Sequence, residues 1–245
     1  MVDNSEQIKK LMHWEIKGDV YYVQVMKRSK DGADRDGVII RDFHIHSLEQ
    51  FDKEYPLMKR LAEENKARVM VRLNQRNTLD ANLCASIKAM LMQIETNRVM
   101  RKMIRTGDTS LVFPDPLSVC KLYSSALGTT NTEASETRKW IVDVDSDMVD
   151  ENKPGYESLD VIADTLSEVI VNKCTTKDKK TGTVNVPKIY CKLPSKHGIH
   201  LVTSTFNVGA FMTVVGKPKN QEKYILEDAN TNIYIPDCCY ESENG

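Results

Sequence analysis

Apolar and polar positions change period several times along the 245 residues, and each change marks an element. Val20-Tyr-Tyr-Val-Gln-Val-Met26 is rich in β-branched and aromatic residues and reads as a strand. A polar turn over residues 29–37 and a second such run over 38–45 complete a predicted hairpin. Ser47-Leu-Glu-Gln50 has the form of a capping box, opening a helix with Phe51, Tyr55, Met58, Leu61 and Ala62 on one face and a kink expected at Pro56. Residues 67–76 read as a strand whose exit carries Arg72, Asn74 and Arg76. Thr78 is the predicted cap of a long helix in which Leu83, Ile87, Met90, Leu91 and Ile94 recur at helical spacing, a stripe expected to be core. Arg98, Arg101, Lys102 and Arg105 continue that helix as a basic end favoured by the helix dipole, with a nucleic-acid backbone contact as the alternative.

Residues 106–138 shift to Gly, Pro, Ser and Thr and read as a connector with a short helix around 117–125. The pattern then resumes: a strand over 139–145, an acidic turn over 147–155, and a helix over 156–173 with Leu159, Ile162, Ala163, Leu166, Val169 and Ile170 on one side. A basic loop over 173–182 leads to a strand or strand pair over 184–193, with Pro187 marking an edge, and then to a turn over 194–198. A strand over 199–206, a short helix over 207–215 and a broken strand or hairpin over 223–235 complete the chain. The expectation is an α+β protein, with an N-terminal αβ module and connector over 1–135 and a β-α-β-β-α-β module over 136–245. In that ferredoxin-like arrangement, also that of RNA-recognition modules, the first strand lies between the third and fourth. Helices then cover Val142 and Val144, and the opposite face stays open.

Charge narrows the partners. The net charge of -1 gives no global attraction to nucleic acid, so any such contact needs a local basic patch. The N-terminal ten residues lack an apolar segment and no apolar run approaches membrane-spanning length, so the expected setting is cytoplasmic without membrane contact. Six cysteines, none in a Cys-x-x-Cys pair, read as free thiols rather than a zinc site. His44 and His46 are two apart, as two metal ligands would be, but lack a third ligand and read as edge histidines.

Candidate chemistry concentrates in two stretches. Lys139-Trp-Ile-Val-Asp-Val-Asp145 puts Asp143 and Asp145 on one strand face, where two carboxylates repel unless a cation, usually a divalent metal, lies between them. Ser195-Lys-His-Gly-Ile-His200 is a basic glycine-containing turn between apolar runs; it could approach an anion through backbone amides or simply close a hairpin. Arg72 and Arg76 could likewise hold phosphate or merely end a strand. Three other readings fall away. A haloacid-dehalogenase motif needs Thr or Val where Asp147 stands; an EF-hand loop needs glycine and glutamate where Met148 and Pro154 stand; and Ser195 is not in a Gly-x-Ser-x-Gly elbow.

Taken together, Trp140-Ile-Val-Asp-Val-Asp145, Ser195-Lys-His-Gly-Ile-His200 and Ile225-Leu-Glu-Asp228 resemble the three motifs of the archaeo-eukaryotic primase superfamily, in a compact form like its phage members. The resemblance covers about the last 105 residues, with the Leu73-Asn-Gln-Arg76 strand end similar to plasmid and phage members. It implies a primase-like catalytic module acting in DNA replication as a metal-dependent nucleotidyltransferase. Asp143, Asp145 and Asp228 would hold Mg²⁺ or Mn²⁺ and be the catalytic acids. Ser195, Lys196 and His200 would bind a nucleoside triphosphate, with Arg72 and Arg76 on phosphate or template. His197 offers a second Ser-x-His match, so the histidine choice stays open. Implied partners are nucleoside triphosphates, single-stranded nucleic acid and replication proteins, in a host cytoplasm if the source is viral. The alternatives are an inactive primase-fold binding module and a metal-dependent phosphoesterase or nuclease.

Overall fold

Twelve short strands and five helices are laid out along the described part of the chain in a computed structural model. The structure describes residues 2–14, 18–28, 38–113, 122–123, 125–127, 137–177, 182–215, 226–227 and 230–235. The order is β1 (Val2–Asp3), α1 (Ser5–Leu11), β2 (Asp19–Lys27), β3 (Val38–Ile45), α2 (Leu48–Asn65), β4 (Arg68–Arg72), β5 (Arg76–Asn77) and α3 (Thr78–Thr106). Then follow β6 (Lys139–Asp145), α4 (Leu159–Lys173), β7 (Thr176–Lys177), β8 (Val184–Asn185), β9 (Ile189–Pro194), β10 (Gly198–Ser204), α5 (Val208–Val215), β11 (Leu226–Glu227) and β12 (Asn230–Ile235). The protein is α+β and its strand pairings are antiparallel. Among the described residues no helix is long and apolar enough to cross a membrane.

The chain divides into two compact units. One holds Met1–Trp14, Tyr21–Asn74 and Glu133–Gly245; the other holds Glu15–Val20 and Gln75–Thr132. The first unit contains two sheets, in the orders β1-β12-β4-β2-β3 and β11-β6-β10-β9, plus a β7–β8 ribbon. Of the residues 223–235, read from sequence as a broken strand or hairpin, the described ones are divided between the two sheets. Leu226–Glu227 pairs with β6, whereas Asn230–Ile235 pairs with β4 and β1. That pairing spans more than 150 positions of chain, beyond the reach of local periodicity.

The first core combines both sheets. Val23, Val25, Val69, Val71, Phe43 and Ile45 of one sheet are buried with Phe51, Met58 and Ala62 of α2, and with Ile141, Leu193 and Val202 of the other. Helix α2 starts as its capping sequence implies: Ser47 Oγ accepts from Gln50 N at 3.1 Å, and Gln50 Oε1 accepts from His46 N at 2.9 Å. It ends at Lys66, in the left-handed region at φ 52°. A second core lies on the helix side of the β6 sheet, where Val142, Val144, Ile199 and Leu201 meet Ile162, Ala163, Leu166 and Ile170 of α4 and Phe211 of α5. Ser158 Oγ caps α4 and Asn207 Oδ1 caps α5, at 3.3 and 3.0 Å.

Asn74 is the joint between the two sheets. The β4 strand ends at Arg72, and the buried Asn74 side chain then acts as a substitute strand: its Nδ2 donates to Lys139 O at 2.9 Å and its Oδ1 accepts from Lys139 N at 2.7 Å. Both backbone groups at the start of β6 are thereby satisfied away from water. Asn74→Ala orphans both at once, and we expect a loss of about 2–4 kcal/mol of stability in urea unfolding, against less than about 1 kcal/mol for substitution of the exposed Lys196.

In the second unit, Asn77 rather than Thr78 is the cap of α3, its Oδ1 accepting from Leu79 N at 3.0 Å and Asp80 N at 3.1 Å. The α3 stripe is a correction to the sequence reading. Leu83, Ile87, Met90, Leu91 and Ile94 are 50–64% exposed, not core. Helical periodicity reports that a helix has an apolar side, not that anything in the chain covers it.

Candidate active site

Alternation along β6 sorts its residues by function. Val142 and Val144 enter the helix-side core, while Ile141, Asp143 and Asp145 share the other face. That face is not open along its whole length, as the sequence reading expected. Ile141 is fully buried with Val202 and Leu193, and only the exit end of β6 carries partly exposed acids. The apolar cluster thus adjoins the carboxylates on the same face, further along the strands.

Antiparallel register brings the second motif to the first. His200 is the partner of Asp143 across β10 and β6, and Gly198 is the partner of Asp145. His200 Nε2 lies 3.4 Å from Asp143 Oδ1, with the His200 side chain 10% and the Asp143 side chain 23% exposed. His197 instead occupies the exposed turn. Ser195 N donates to Gly198 O at 2.8 Å, closing a hairpin with Lys196 and His197 at its tip, and Ser195 is half-buried. The turn is clasped to the chain leaving β6, because Ser146 N donates to His197 O at 2.7 Å. On the other side, Asn4 Nδ2 donates to Pro194 O at 2.8 Å.

Gly198 has a reason that sequence alone did not supply. A Cβ there would lie 2.0 Å from the Val144 carbonyl oxygen and 3.1 Å from Asp145 Cα, so only glycine lets β10 run this close to the carboxylate end of β6. Glycine at this position serves strand approach. The backbone amide of Ser195 is engaged within the hairpin.

The remaining sequence candidates separate. Arg72 ends β4 in the first unit, half-buried and paired in register with Asn230. Arg76 belongs to the second unit, where it is 1% exposed and opposite Val20. Asp228 lies outside the described residues. Asn74, which the sequence places at the strand exit with Arg72 and Arg76, is engaged with the Lys139 backbone. His44 is half-buried with its ring 5.4 Å from that of Tyr22, and burial lowers its pKa, while His46 lies past the strand end. Burial pushes the Cys191 thiol up to about 11, and Cys84, Cys174 and Cys191 are free.

Among the described residues, no group of three or more His, Cys, Asp or Glu converges in a form that could hold a metal ion. Asp143 and Asp145 supply two carboxylates on one face. That donor set suits Mg²⁺ or Mn²⁺, hard cations that are often held by one or two carboxylates and completed by water and substrate phosphate. No protein-family model, curated protein sequence or solved structure matches the chain.

Proposed function

We propose that the chain is a metal-dependent nucleotidyltransferase of primase-polymerase type, acting on nucleoside triphosphates and single-stranded nucleic acid. One observation carries the reading: the two acids of the first motif and the histidine of the second, 55 positions on, meet at one strand end, with His200 Nε2 3.4 Å from Asp143 Oδ1. The strand order β11-β6-β10-β9, with α4 and α5 as the two crossovers, supports a ferredoxin-like catalytic module of the kind primases use. A divalent ion held by Asp143 and Asp145 would supply the charge that activates a 3′-hydroxyl and stabilises departing pyrophosphate.

The chain's own groups then have distinct tasks. Asp143 and Asp145 present negative charge beside the apolar cluster of Ile141, Leu193 and Val202 on the same sheet face, which excludes water from that side of the site. His200, 3.4 Å from Asp143, offers an imidazole beside the acids for a phosphate oxygen. Lys196, exposed on the adjoining turn, adds positive charge where a triphosphate tail would lie. Arg72 is kept as a phosphate or template contact, and Asp228 as a third acid.

The His200–Asp143 contact also favours a second reading, in which both side chains ligate one ion in a phosphoesterase. Binding separates the two. For a nucleotidyltransferase, His200→Ala is expected to weaken triphosphate affinity about tenfold or more in the presence of Mn²⁺ while Mn²⁺ affinity changes less than about twofold. Loss of Mn²⁺ affinity with triphosphate binding reduced only in proportion would make His200 a ligand and point to hydrolysis.

A further inference from the structure

We propose that α3 is a self-association helix, its exposed stripe of Leu83, Ile87, Met90, Leu91 and Ile94 pairing antiparallel with the same stripe of a second copy of this chain. Five large apolar side chains on one face, each at least half exposed, form a contiguous patch of the kind that marks an interaction surface. Of the 29 residues of α3, the buried position is Ala81. Leu83, Ile87, Met90 and Ile94 follow one another in steps of four, three and four, the alternation of four- and three-residue steps that keeps side chains along one helix seam. The surface that matches such a seam is another helix.

Self-complementarity selects the occupant. In antiparallel register Leu83 meets Ile94 of the second copy and Ile87 meets its Met90, and the dyad makes every contact twice. The same register sets Asp80, in the first turn, beside Asn97 and Arg98 of the second copy, giving an opposite-charge contact at each end. Parallel pairing would instead stack Arg98, Arg101, Lys102 and Arg105 on their own copies. Among the described residues, Ser125 contacts α3 through Lys88, whose Nζ donates to Ser125 Oγ at 2.8 Å, and Lys88 projects about 100° around the helix from Ile87. A nucleic acid would engage the basic end and leave the apolar stripe in water.

The test is sedimentation equilibrium on the full chain over a concentration series up to about 100 μM. The mass is expected to approach twice 27.9 kDa, and Ile87→Asp is expected to return it to 27.9 kDa with an unchanged circular dichroism spectrum. Arg98→Asp should weaken the dimer about five- to tenfold, and adding Asp80→Arg should restore most of that loss. A wild-type mass that stays at 27.9 kDa overturns the proposal, whether or not the chain then binds single-stranded DNA through Arg98 and Arg101. A dimer indifferent to Ile87→Asp overturns it too, and failure of the charge swap to recover association overturns the antiparallel register.

Discussion

Replacing Gly198 by alanine is expected to cost about 3 kcal/mol, seen as a fall of about 6–12 °C in melting temperature. The added Cβ would stand 2.0 Å from the Val144 carbonyl oxygen, and a backbone atom in mid-strand has no flexible end to swing aside. Either β10 withdraws from β6, breaking hydrogen bonds on both sides of the Gly198–Asp145 pair, or the hairpin opens. Both movements carry His200 away from Asp143, so the variant should also lose whatever the two side chains do together. Gly209 in α5 is the internal control. Its nearest contact for a Cβ is the Asn207 side-chain oxygen at 3.3 Å, and alanine there should change the melting temperature by less than about 3 °C.

The second large effect concerns the acid pair. Asp143→Asn combined with Asp145→Asn should reduce nucleotide incorporation on single-stranded templates by roughly 10³-fold, because amide oxygens carry no net charge to hold a divalent cation. Stability should be equal or slightly higher, since two like charges on one strand face are removed and each residue keeps nearly its shape. That combination, lost activity with retained stability, separates a cation site from structural carboxylates. A fall in both together would assign the acids to the fold.

Much of this geometry can be read from the chain because the signals are local. The alternation Val142-Asp-Val-Asp145 fixes which side chains share a face. The apolar runs on either side of Ser195-Lys-His-Gly198 bracket a hairpin that places His200 inside a strand. Contacts without a local signature are not legible. An asparagine after a strand gives no sign that its amide will imitate a neighbouring strand, as Asn74 does for Lys139. Nor does the periodicity of residues 230–235 say that they join a sheet begun at residue 2. The α3 stripe has a clear period in the sequence, but exposure is a property of everything around a helix. In the same way, the face bearing Asp143 is apolar and closed a few ångströms further in, where Ile141 meets Val202 and Leu193.

The central claim is that Asp143 and Asp145 form a divalent-cation site serving nucleotidyl transfer, and titration calorimetry with Mn²⁺ tests it most directly. Wild-type protein is expected to bind Mn²⁺ and then a nucleoside triphosphate more tightly in its presence, while the folded Asp143→Asn, Asp145→Asn variant binds Mn²⁺ at least about 100-fold more weakly. Equal Mn²⁺ binding by wild type and variant would contradict the claim and leave the pair as charges at a strand end.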